Sequence, residues 1–138
     1  MNVKQLDWLG KPRDIKKTLH SVSYTGTGSN GAFLTLGENG ELSLSVETDM
    51  PYAFIFLHTN EEYIALKTDR IVLKTLKNRI ELPLPSQPSA LKVIKEGPLL
   101  IFHVSGEEIL RTEKEAYRGS ASIGIITEGC SRAVLEVF

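Results

Sequence analysis

The chain has 138 residues, 16 of them Lys or Arg and 17 Asp or Glu, giving a formal net charge of -1. That length suits one domain burying roughly two-thirds of the surface its unfolded chain exposes, and the scattered charges leave no basic stripe to neutralise phosphates, which argues against a nucleic acid partner. No window approaches the roughly 18 apolar residues of a membrane helix, and the opening residues lack the apolar stretch of a signal peptide. The chain as written is therefore expected in the cytoplasm, or outside the cell if it is a fragment of a secreted protein.

In chain order, residues 1–17 read as an irregular or short helical lead-in, with Lys11-Pro12 ending any helical turn over residues 2–10. Residues 18–24 alternate as a strand, with Val22 and Tyr24 on one side and Ser21 and Ser23 on the other. A glycine-rich loop spans residues 25–31. Residues 32–36 and 41–47 form two strands around Gly37-Glu38-Asn39-Gly40, whose Asn-Gly pair suits the positive φ angles of a tight hairpin. In the second of these, Leu42, Leu44 and Val46 oppose Ser43 and Ser45, the pattern of one core face and one wet face.

Residues 52–58 are densely apolar and turn at 59–61 into a strand at 63–67. Further strands are expected at 71–76 and 80–84, the latter ended by Pro83 and Pro85, since proline cannot donate to a sheet ladder. Leu91 and Val93 alternate with Lys92 before Glu96-Gly97-Pro98 breaks the strand. Residues 99–104 read as a central strand, and Ser105-Gly106 as a two-residue hairpin turn into residues 107–111. Arg118-Gly119 turns the chain again, Ala121, Ile123 and Ile125 share a face, and residues 133–138 make the last strand. This density of short strands, with almost no helix, is the pattern of an all-β sandwich or barrel. The expected core comprises Leu42, Leu44, Ile55, Leu57, Ile80, Leu82, Ile101, Ile123 and Leu135.

From Gly40 onward, the order of features resembles concanavalin A-like jelly-roll domains. In rhythm it is closest to the non-catalytic C-terminal sandwich of family 43 glycoside hydrolases of the β-xylosidase type. The elements that carry the resemblance are the hairpin bearing Tyr63, the strand ending in Leu82-Pro83, the unit over residues 91–106 and the closing run over residues 119–138. The resemblance implies an antiparallel two-sheet jelly-roll sandwich accessory to a glycan-acting enzyme. Such a module would bind carbohydrate weakly or cover the enzyme's cleft, so a carbohydrate or a catalytic domain is the partner it suggests.

Chemistry-bearing residues are sparse. Gly26, Gly28 and Gly31 match G-x-G-x-x-G, but residues 33–36 beyond them read as a strand, whereas a pyrophosphate cradle needs a helix N-terminus. His20, His58 and His103 lack ligand spacing, so no metal or cofactor is expected. Glycoside hydrolysis needs paired carboxylates, and neither Glu47-Thr48-Asp49 nor Glu113-Lys114-Glu115 forms the strand motif that would align them. No catalytic residue is assigned, and Cys130 has no sequence-local base.

Carbohydrate contact is expected of Tyr63 and His58, with Phe56 as a floor. Phe54, Phe56 and His58 share a strand face, and the short turn brings Tyr63 alongside. The alternatives are a protein-interaction or structural sandwich with no small ligand, and a small glycoside hydrolase or lyase on the same scaffold.

Overall fold

The computed structural model describes residues 6–59 and 61–138. Among these described residues are fourteen strands, numbered in chain order, in two seven-stranded sheets. The first sheet runs in space β1 (Asp7–Leu9), β4 (Ser29–Leu36), β13 (Ala121–Glu128), β6 (Tyr52–Thr59), β7 (Glu62–Leu66), β8 (Arg70–Lys74) and β9 (Arg79–Pro83). The second runs β12 (Glu107–Glu113), β11 (Leu99–Val104), β10 (Ala90–Glu96), β5 (Asn39–Glu47), β14 (Ala133–Val137), β3 (Ser21–Thr25) and β2 (Arg13–Lys17). Every pairing is antiparallel. The only helical element among the described residues is a single 3-10 turn, Glu115–Tyr117. This is the jelly-roll sandwich that the resemblance implied, and it is one of the two all-β architectures, sandwich or barrel, that the strand pattern left open.

The facing sides of the sheets meet in one apolar cluster. Leu42, Leu44 and Val46 of β5 lie in it as their alternation requires, beside Leu91 and Val93 of β10, Ile123 and Ile125 of β13, and Leu135 of β14. Between β4 and β13 the backbones approach closely: a Cβ added at Gly124 would stand 1.9 Å from the Ala32 carbonyl oxygen, so only glycine fits there.

Several expected core positions fall elsewhere. Ile55 is buried in a second cluster, with Phe33, Ala65 and Val72, on the outer face of the first sheet, and Leu57 packs against it. Strand β6 is apolar on both faces, so its parity cannot be read from composition, and pairing alone decides that Phe54 and Phe56 point inward. Ile80 and Leu82 are 53% and 37% exposed because β9 is an edge strand. Ile101 is also buried, but outside the main cluster that holds its strand neighbours Leu100 and Phe102.

The lead-in is also corrected. Residues 1–5 lie outside the described residues, but residues 7–9 and 13–17 are strands at one edge of each sheet. Trp8 pairs with Ala32 and sets its ring edge-on to Tyr24 at 5.4 Å. Strands this short carry too few alternations to be seen in sequence. Nor is Asn39-Gly40 a hairpin turn, since β4 and β5 belong to different sheets and residues 37–38 carry the chain across the sandwich. Ser105 and Gly106 do form the expected hairpin, with φ of 53° and 78°, the paired positive angles a type I′ turn requires.

Candidate functional site

The three residues expected to meet a sugar are not brought together. Phe56 is 1% exposed and lies inside the sandwich, its ring edge-on to Phe102 at 6.2 Å and to Tyr117 at 6.0 Å. His58 sits where the β6–β7 register shifts, with its ring edge-on to Tyr117 at 6.4 Å and its buried Nδ1 lacking a hydrogen-bond partner among the described residues. Burial raises the Tyr117 hydroxyl pKa, a hydrogen bond with Thr112 opposes the rise, and the Glu62 carboxylate adds to it. Tyr63 pairs with Leu57, and residues directly opposite in an antiparallel ladder share a face, so Tyr63 lies on the outer side. Phe56 is thus part of the core and cannot serve as a groove floor.

Tyr63 instead borders a groove of about 480 Å³ on the outer face of the first sheet. Its most buried residues are Phe33 from β4, Ile55 from β6 and Ala65 from β7. Ala53, Leu57, Ile126 and Tyr63 are partly buried around them. Lys67 is likewise partly buried, and Leu9 of β1, Thr68 and Glu128 are more open to solvent and supply the edge. A Glu128 carboxylate oxygen accepts a 3.3 Å hydrogen bond from the Ser29 hydroxyl. Toward Pro51, the Tyr52 hydroxyl donates to the Pro88 carbonyl at 2.9 Å, and the Gln87 side-chain amide donates to the Tyr52 carbonyl at 2.6 Å.

Apart from Tyr63, sequence reasoning missed this groove. Its signal is the unbroken apolar run in β6 and again at Ile123, Ile125 and Ile126 in β13, since a strand apolar on both faces has something to cover on each.

The remaining sequence features have plainer roles. Gly28, with φ of 76°, turns β3 into β4, so the glycine-rich loop joins two strands and precedes no helix. No group of three or more His, Cys, Asp or Glu among the described residues is placed to hold a metal ion. His103 pairs with Lys92 in the sheet, next to a register shift, and Cys130 is an exposed free thiol. Glu47, Thr48, Asp49, Ser131, Arg132 and Val134 line a second, shallow hollow. There the Arg132 guanidinium donates to the Ser23 hydroxyl at 2.7 Å.

Sheet order and layer packing place the chain among the concanavalin A-like jelly-roll sandwiches. No family model and no curated protein matches it. Among solved structures it is similar to a functionally unknown protein from Saccharomyces cerevisiae, at 11% identity over 100% of this chain and 98% of that one, with a TM-score of 0.70. The SPRY domain of human HERC1 is similar at 8% identity over 86% and 87% of the two chains, TM-score 0.61. The carbohydrate-binding module CBM66 from Bacillus subtilis is similar at 8% identity over 94% and 91%, TM-score 0.55. At these identities the likeness is one of fold, shared by proteins whose names point to different roles.

Proposed function

We propose that the chain is a single-domain, non-catalytic accessory module that acts by docking. Its site is the outer-face groove of the first sheet, and its ligand is an apolar segment of a partner domain. One observation carries this reading: the groove is apolar at its most buried residues, Phe33, Ile55 and Ala65, and its charged residues, partly buried Lys67 and exposed Glu128, are both less buried than that floor. Covering apolar surface contributes about 25 cal/mol per Å², whereas a sugar buried over such a floor leaves hydroxyls without partners. The resemblance to the sandwich of family 43 glycoside hydrolases supports a glycan-acting catalytic domain as that partner, with this module lying against its cleft.

Weak carbohydrate binding is a second reading, favoured by the Tyr63 ring beside the groove. A lone aromatic contact contributes on the order of 0.5 to 1.5 kcal/mol beyond its area, which sets millimolar affinity as the expectation.

Amide NMR shifts distinguish the two. Extended Leu/Ile-rich peptides selected from a random library should shift Ile55, Leu57 and Ile126, and Leu57→Lys should abolish the effect. Xylo-oligosaccharides shifting Tyr63, with loss in Tyr63→Ala, would transfer the assignment to glycan binding. Shifts with neither probe would overturn the groove as the site.

A further inference from the structure

Among the described residues, the edge strand β9 is exposed at all five of its positions. Ile80 and Leu82 lie on it and Leu76 in the loop before it, at 53%, 37% and 64% exposure. Among the described residues β9 pairs only with β8, leaving one side of its backbone open.

The ladder itself fixes which groups are open. The Leu84 N–H donates to the Asp69 carbonyl, and the Thr75 N–H donates to the Asn78 carbonyl. These bonds bracket the paired residues 70–74 and 79–83. Hydrogen-bonded pairs alternate along an antiparallel ladder, so Ile71–Leu82 and Leu73–Ile80 are the pairs that exchange bonds across β8 and β9. The N–H and C=O groups of Arg79 and Glu81 therefore point away from the sheet, and Pro83 has only a carbonyl to offer.

We propose that two copies of this chain associate through β9, antiparallel about a two-fold axis perpendicular to the sheet, with Arg79 opposite Glu81 of the second copy. The available groups set this register. Placing Glu81 against Glu81 would oppose like charges and set Arg79 against a proline that cannot donate. Shifting by one pair step uses both open donors of each copy, giving four main-chain hydrogen bonds, and sets Arg79 against Glu81 twice.

Side-chain chemistry agrees with this register. Glu81 pairs with Val72, a member of the outer cluster, so Arg79 and Glu81 share the outer face, where they already stand 3.1 Å apart within one chain. Ile80 faces the sandwich side, opposite Ile80 of the second copy, and the contact covers part of the exposed apolar edge. The two seven-stranded sheets become one of fourteen strands, with both grooves on the same face.

Sedimentation velocity on the full chain over a concentration series tests the idea. A reversible dimer is expected for the wild type, and Glu81→Pro, which removes an open N–H without touching the β8 bonds, should weaken it at least about tenfold. Arg79→Glu alone and Glu81→Arg alone each oppose like charges and should be monomeric, whereas an equimolar mixture of the two restores both opposite-charge pairs and should dimerise. A wild type that stays monomeric up to about 1 mM, in the range where weak contacts are still seen, would overturn the proposal. So would single variants that remain dimeric, or a mixture that does not associate.

Discussion

Lys95 carries the most unusual burden of any single residue. It alternates inward with Leu91 and Val93 on β10 and is fully buried, a position that composition alone would give to an aliphatic side chain. Its Nζ donates to the Gly97 carbonyl at 2.7 Å and to the Glu38 carbonyl at 3.2 Å, tying the link between β4 and β5 to the β10–β11 turn. Glu38 extends the tie, its carboxylate accepting from the Gly119 N–H at 2.7 Å. Desolvation lowers the Lys95 pKa below its ordinary 10.5, the Glu38 carboxylate opposes the shift, and the Arg118 guanidinium adds to it. Between the lowered folded value and 10.5 the unfolded chain binds more protons than the folded one, so Lys95 contributes a gain in stability as pH rises through that window. Thermal melts of wild type and Lys95→Met should therefore diverge in favour of the wild type from neutral pH toward about pH 10, in the range where the ordinary lysine titrates. A difference in Tm that does not change with pH would show that the Lys95 charge is not penalised. The alternation in β10 was legible in sequence, but the two carbonyls that let a lysine occupy an inward position come from segments the sequence alone could not place beside it.

Among the elements, β14 shows how far the closing residues matter. It lies between β5 and β3, and Ala133, Leu135 and Val137 are each 0 to 1% exposed. Burial of a Leu or Val side chain is worth about 1.5 to 3 kcal/mol, so two of them, before any ladder bonds, approach a domain's whole stability of about 5 to 15 kcal/mol. Deleting residues 133–138 also leaves β3 without its inner partner, cutting the β3–β2 pair off from the rest of the second sheet. The truncated chain should show no cooperative unfolding transition by circular dichroism, whereas a melt like that of the full chain would make β14 peripheral. The existence of this strand was plain from its apolar spacing. Its position inside a sheet was not, because its partners β3 and β5 lie in the first third of the chain.

For the molecule as a whole, sequence-distant pairings dominate. Strand β13 pairs with β4, β14 with β3 and β10 with β5, each across a long intervening segment. Loop closure must precede the contacts that reward it, which places refolding at about milliseconds to seconds and not microseconds. Stopped-flow refolding complete within about 100 µs, the time of helical bundles, would contradict this topology.

The sequence by itself determined an all-β chain of many short strands, the inward face of β5, the Ser105-Gly106 turn and the inward alternation of Leu91 and Val93, because each is written in neighbouring residues through period-two patterning and turn chemistry. Only the tertiary structure decided which face of β6 is buried, that Ile80 and Leu82 lie on an open edge, and that Phe56 and Tyr63 part to opposite sides of one sheet. The reason is physical. A strand apolar on both faces carries no parity signal, and the order of strands in a sheet is fixed by pairings between segments far apart in the chain.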